Sequence, residues 1–196
     1  MKKRIIPISI YVVPVPLILA SLFIGPSESA TPGAILNAII HNTGNVSLVH
    51  SIIFDVRLPR SLLTFLVGGS LAISGCSIQA IFRNPLTDSY ILGLSSGAAF
   101  GAALALAYPF LPVQLSAFLF GLLAVGLSYY MARKNKNVSI VSLILAGIIV
   151  SGIFTALLTM VQFFSDPFKL QSIVHWTMGN LHNANRKKQI SDGTVK

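Results

Sequence analysis

At 196 residues the chain has the length of one domain, yet its mean hydropathy is +0.77 and only 10% of its residues are charged. That leaves too little polar surface for an ordinary soluble globule, so the class is integral membrane. The net charge of +9 gathers largely in Lys2-Lys3-Arg4, Arg133 to Lys136 and Arg186 to Lys188, beside apolar runs; such clusters orient spans, and without a basic helix or stacking platform they do not describe a nucleic-acid binder.

Lys2 to Arg4 precede an apolar run from Ile5 to Ile24 that Pro26 and Glu28 close. Roughly twenty apolar residues cross the hydrocarbon core as a helix. The run is longer than the apolar core of a signal peptide and further spans follow, so an uncleaved span over 5–24 is the reading, with cleavage near Ser27-Glu28-Ser29 as its rival. Pro7, Pro14 and Pro16 are expected to bend it. Ala34 to Ile40 and Val46 to Phe54 are too short to span and are read as helices lying at the outer interface.

After Arg57-Leu58-Pro59-Arg60 comes a second span, 61–82, carrying Gly68, Gly69, Ala72 and Gly75, the hydroxyls of Ser70, Ser74 and Ser77, and Gln79, whose amide needs a partner. Asn84-Pro85 makes the turn, because the residue before proline is pushed out of the helical region. A third span, 91–107, begins with Gly93, Gly97 and Gly101; their four-residue spacing puts them on one face where a neighbouring helix approaches closely. The fourth span, 114–131, follows Tyr108-Pro109 and Leu111-Pro112. The fifth, 138–164, carries Gly147, Ser151, Thr155 and Thr159 at four-residue steps and ends at Asp166-Pro167. An amphipathic stretch with His175 and Trp176 leads to Leu181, and residues 182–196 form a polar tail.

With the N-terminus inside, Lys2, Lys3, Arg4, Arg83, Arg133, Lys134 and Lys136 fall on the cytoplasmic side and Arg57, Arg60 and Lys169 outside, as the positive-inside rule requires. The tail's Arg186, Lys187, Lys188 and Lys196 cut against this topology. Cys76 is the lone cysteine, so no intrachain disulfide or multi-cysteine metal site forms. No catalytic residue set stands out: Glu28, Asp55, Asp88, Asp166 and Asp192 lie at predicted span ends or in polar segments, and no Walker phosphate loop occurs. No catalytic residues, metal ligands or cofactors are assigned, and any nucleotide-driven work must come from another chain. Arg57 and Arg60 read on physical grounds as headgroup anchors, with docking to a partner's carboxylates as the alternative. The glycines at 68, 75, 93, 97, 101 and 147 read as helix packing. For Ser151, Thr155 and Thr159, packing by hydroxyls and the lining of a wet path both stand.

The words RLPR, LVGGSLAISGCSIQAIFRNPLTDSYILGLSSGAAFGA, SLILAGIIVSGIFTALLTM and SDPFKLQSIVHWTMGNL, in that order and spacing, resemble the FecCD-type permeases of bacterial ABC importers, over roughly Asp55 to Leu181. The resemblance implies an all-α, polytopic transmembrane helix bundle in the bacterial inner membrane. It also implies import of an iron-siderophore, haem or corrinoid, with no bond in the substrate broken. Members have ten helices and pair as dimers, with cytoplasmic ABC ATPases inside and a periplasmic or lipoprotein binding protein outside.

By the same resemblance Arg57 and Arg60 stand where a binding protein's glutamates dock, and Ser151, Thr155 and Thr159 stand beside the substrate pathway. Hydroxyls occupy the cytoplasmic gate of the vitamin B12 permease, whereas the nearest matching positions here are Ile140 and Val141. The family's sixth helix and its ATPase-coupling loop lie past the residues given. Residues 1–181 are therefore read as the N-terminal half of a permease domain and 182–196 as a truncated or non-native tail. The rival reading is a membrane fragment with a structural or interaction role only. The expected outcome of extraction is that the chain leaves the membrane only with detergent; a well-ordered monomer in plain buffer would refute the class.

Overall fold

The structure is a computed structural model that describes residues 14–24, 31–33, 35, 46–134, 137–179 and 181. It forms two compact units, one reaching Gly69 and rejoined at Leu181, the other spanning Ser70–Asn180. Apart from one two-residue ladder the described residues are helices, turns and loops. Three of the helices are long and apolar enough to cross a membrane: Val46–Phe82, Val113–Ala132 and Ile140–Phe164.

In the first unit, α1 (Pro14–Phe23) opens with Pro14 and Pro16 in its first turn, where a missing N–H does no harm. Pro7 and the start of the expected 5–24 span lie outside the described residues, as do most of Ala34 to Ile40, the Ser27 to Ser29 cleavage rival and the tail from residue 182. Further on, α2 (Val46–Ser51) runs through a π-helical segment (Ile52–Arg57) straight into α3 (Leu58–Phe82), whose residues up to Gly69 belong to this unit and the rest to the second.

The sequence led us to expect an interfacial helix ending at Phe54 and a fresh start after Arg60; the backbone instead stays helical across both. The physical reason is the widened turn. Leu58 N–H donates to Ile53 O, one residue further back than in an α-helix, and this loosened geometry admits Pro59, which has no N–H to return. Ile35 and Val49 are buried together with Val46, Ile52 and Ile53 packed around them.

The second unit is built on three helices. They are α4 (Leu94–Ala107), α5 (Val113–Ala132) and α6 (Ile140–Phe164), followed by the short α7 (Pro167–Met178). Helices α4 and α5 lie antiparallel, as cross-pairs show. A Cβ on Gly97 would stand 2.6 Å from Ala124 Cβ and 2.7 Å from Phe120 O, and one on Gly101 would stand 2.6 Å from Ser116 O. Only hydrogen fits at either place. In lipid, where apolar burial gives helices little reason to pair, such close backbone approach and its dispersion contacts hold them together. Helix α4 is so enclosed that Ala102, Ala103, Ala105 and Ala107 are all buried.

Helix α6 runs parallel to α4 and seats Ala146, Gly147, Val150 and Phe154 inward. Phe154 meets Phe100, which in turn meets Phe120 edge-on at 5.2 Å between ring centres. Two fully buried serines of α5 are satisfied by distant backbone: Ser116 Oγ donates to Gly101 O of α4 at 2.7 Å and Ser128 Oγ to Leu92 O, in the turn before it, at 2.9 Å.

The third expected span, from Ile91, begins three residues later. Gly93 has φ +79 and is the N-cap of α4, so the chain turns there instead of continuing as helix. The resulting helix has fourteen residues, short for a crossing. Likewise Val138 pairs in the ladder of Arg133–Lys134 with Asn137–Val138, and Ser139 N-caps α6, its Oγ accepting from Ser142 N–H at 3.0 Å.

At the other end Asp166 N-caps α7, accepting from Phe168 and Lys169 N–H. Lys169 Nζ donates to Ala107 O at 2.8 Å, and its charge sits favourably at the C-terminus of α4. Replacing Gly97 or Gly101 by Ala is expected to lower the unfolding free energy in detergent by about 1–3 kcal/mol. Gly126→Ala, where a Cβ meets nothing within 4 Å, is expected to hold or raise it, by at most about 1 kcal/mol. Denaturant titration of the detergent-solubilised protein reads both.

Candidate functional site

Between α3 and α4 the chain runs for eleven residues, Arg83 to Gly93, without helix. Backbone of this kind is tolerated near lipid only where protein groups satisfy it. Here they do. Gln79 Nε2 donates to Pro85 O at 3.2 Å and Thr87 O at 3.3 Å, the partners its amide required. Asn84 Oδ1 accepts from Leu86 N–H, Thr87 Oγ1 donates to Asn84 O, and Asp88 Oδ1 accepts from Tyr90 N–H. Ser74 and Ser89 share a hydrogen bond at 2.8 Å, and a Cβ on Gly75 would stand 3.7 Å from Ser89 Oγ.

The segment then lies against α6. A Cβ on Gly147 would collide with Ile91 O and stand 3.1 Å from Leu92 Cα, so Gly147 lets backbone rest on backbone. One on Gly93 would stand 3.3 Å from Val150 Cγ1. Ser96 and Ser151 hydroxyls meet at 3.3 Å. Beside them opens a groove of about 350 Å³ lined by Leu86, Asp88, Tyr90, Ile91, Ile148 and Ser151. It is mostly apolar, with the carboxylate of Asp88 and the hydroxyl-bearing Tyr90 and Ser151.

The structure thus brings Ser151 to a groove and to Ser96. Thr155 and Thr159 are exposed further along α6, and Thr159 Oγ1 donates back to Thr155 O at 3.0 Å. Gly147, Gly97, Gly101 and Gly93 all stand at close approaches, but Gly68 has nothing within 4 Å. In the first unit Arg57 is buried, and its Nη1 donates to Leu22 O at 2.7 Å in the last turn of α1. That is a helix C-terminal position, where a cation is favoured. Arg60, three residues on, lies on the same side of α3 and is half-buried. Ser61 joins α1 by a 2.8 Å hydrogen bond with Ser21.

Sequence reasoning missed the roles of Asp88, Ser116 and Ser128. A serine inside an apolar helix is a signal, but not one that names its partner. Among the described residues no three His, Cys, Asp or Glu side chains gather closely enough for a metal.

An all-helical bundle whose helices meet through glycines, with three helices long and apolar enough to cross a membrane, is a membrane-protein architecture. The chain belongs to the FecCD transport family, whose model matches residues 12–191. Members of this family are transport proteins of the membrane, not enzymes. The chain is 44% identical over 140 residues to the molybdate import system permease protein MolB of Haemophilus influenzae, a match covering 70% of this chain and 42% of that protein.

It is 35% identical over 150 residues to the hemin transport system permease protein HmuU of Yersinia pestis, covering 73% and 45%. With the vitamin B12 import system permease protein BtuC of Klebsiella pneumoniae it shares 39% identity over 132 residues, covering 65% and 39%. A solved inward-facing metal-chelate type ABC transporter superposes with TM-score 0.76 at 36% identity, over 94% of this chain and 56% of the other. The chain spans less than half the length of the three curated relatives named. Gln79→Leu is expected to speed amide exchange at Thr87 to Ser89 at least about fivefold, since it removes two hydrogen bonds worth about 1 kcal/mol each; unchanged exchange would remove the bracing role.

Proposed function

We propose that this chain belongs to the membrane-spanning subunit of an ABC importer that takes up a bulky metal chelate, haem or corrinoid, or an oxyanion such as molybdate. What carries the reading is the family match together with a glycine-tight bundle that leaves the hydroxyl groove of Ser151 open. In the proposed arrangement the N-terminus is cytoplasmic, residues 1–181 form the N-terminal half of the permease domain, and two permease chains pair around the pathway. Cytoplasmic ATPases rock the pair between outward- and inward-facing states, and a binding protein delivers the substrate from outside. Ser151, Thr155 and Thr159 contribute to the pathway wall, where hydroxyls give transient hydrogen bonds without holding the cargo.

Arg57 and Arg60 face the binding protein in this scheme. Arg57 Nη1 also holds the end of α1, so a change there reads stability as well as docking. In a nanodisc-held permease, Arg60→Glu is expected to weaken binding-protein affinity about tenfold at low salt and by less at high salt, since charges at a water-facing interface are screened. Arg57→Glu is expected to show the same loss plus lower thermal stability. Affinity independent of both charge and ionic strength would retire the docking role. Co-purification of an ATPase with a complete permease carrying this half, and uptake of labelled substrate lost with the ATPase, would support the importer reading; a complete permease that never assembles with an ATPase would refute it.

A further inference from the structure

Helix α3 differs from the other two long helices in how little of it is covered. In mid-span α5 buries Ala117, Gly121 and Ala124 and α6 buries Gly147, Val150 and Phe154, whereas the one buried residue of α3 is Phe82, its last. Every residue over 64–73, roughly three turns, is exposed. A Cβ on Gly68 or on Gly69 would meet nothing within 4 Å.

Those turns do not have the composition of a surface made for lipid. Helix α6 shows such a surface, with Ile148, Ile149 and Ile153 exposed on it. The middle of α3 instead carries Gly68, Gly69, Ser70 and Ala72, the small residues on which membrane helices close. Left uncovered, a helical glycine gives up chain stability and gains no contact in exchange. At about 100° per residue, Gly68, Gly69 and Ser70 point in three directions round the helix. One neighbouring helix cannot cover all three.

We infer that α3 is an interior helix of the complete permease, with residues 64–73 ringed by transmembrane helices of the half that these residues do not contain. The inference rests on the reading of residues 1–181 as half of a permease domain. The relatives carry enough further chain to supply such helices, since the matches cover 42% of MolB and 45% of HmuU and leave the larger part of each outside. A second copy of this chain is the other protein that could cover α3. A two-fold contact, however, closes on one face of a helix and leaves the remaining directions in lipid.

The test compares this chain by itself with a complete permease carrying this half, each in nanodiscs. Gly68→Leu and Gly69→Leu are expected to keep or raise the melting temperature of this chain by itself, yet to lower that of the complete permease by at least about 3 °C each, because there the space is filled. Gly68→Ala and Gly69→Ala, which add one methyl group, are expected to lower it by less. A photo-crosslinking residue at position 73 of the complete permease should yield adducts with the remaining half. Adducts with lipid alone, or melting temperatures that move alike in both settings, would overturn the interior position of α3 while leaving the importer reading intact. So would a loss that appears in this chain by itself and grows with its density in the disc, which assigns the cover to a second copy. Failure of this half to form a folded permease with the remaining half would overturn the half-permease reading as well.

Discussion

The second unit depends on one constraint: at Gly97, Gly101 and Gly147 a neighbouring backbone or Cβ occupies the space a side chain would need. In water, glycines inside helices weaken them by about 1 kcal/mol each. In lipid the same absence lets helices approach until backbone meets backbone, which is where their attraction comes from. The placement of the groove follows directly. Gly147 seats Ile91 against α6, Gly93 turns the chain into α4, and Ser151 is thereby brought to Ser96 at the groove's edge.

Close approach raises a second demand, since a non-helical stretch beside lipid must find internal partners for its polar backbone. The side chains that answer it come from the segment itself and from its neighbours: Gln79 behind it, Asn84 and Asp88 within it, Ser128 across from it. Cations serve a related purpose at helix ends. Arg57 meets the carbonyl of Leu22 in the first unit and Lys169 that of Ala107 in the second, each against the negative end of a helix.

The membrane class, the all-helical bundle and the family were legible in the sequence, because hydropathy over twenty residues and the spacing of glycines are local properties that lipid reads directly. Less was legible at the helix ends. The second span reads as starting after Arg60, yet a widened turn carries helix through Pro59; Gly93 reads as a rung of the ladder, yet it is the turn that starts α4. The burial of Arg57 against Leu22 and the partners of Ser116 and Ser128 were also decided only in the fold. Periodicity tells which face of a helix a residue takes, whereas a hydrogen bond depends on what another part of the chain, tens of residues away, brings within 3 Å.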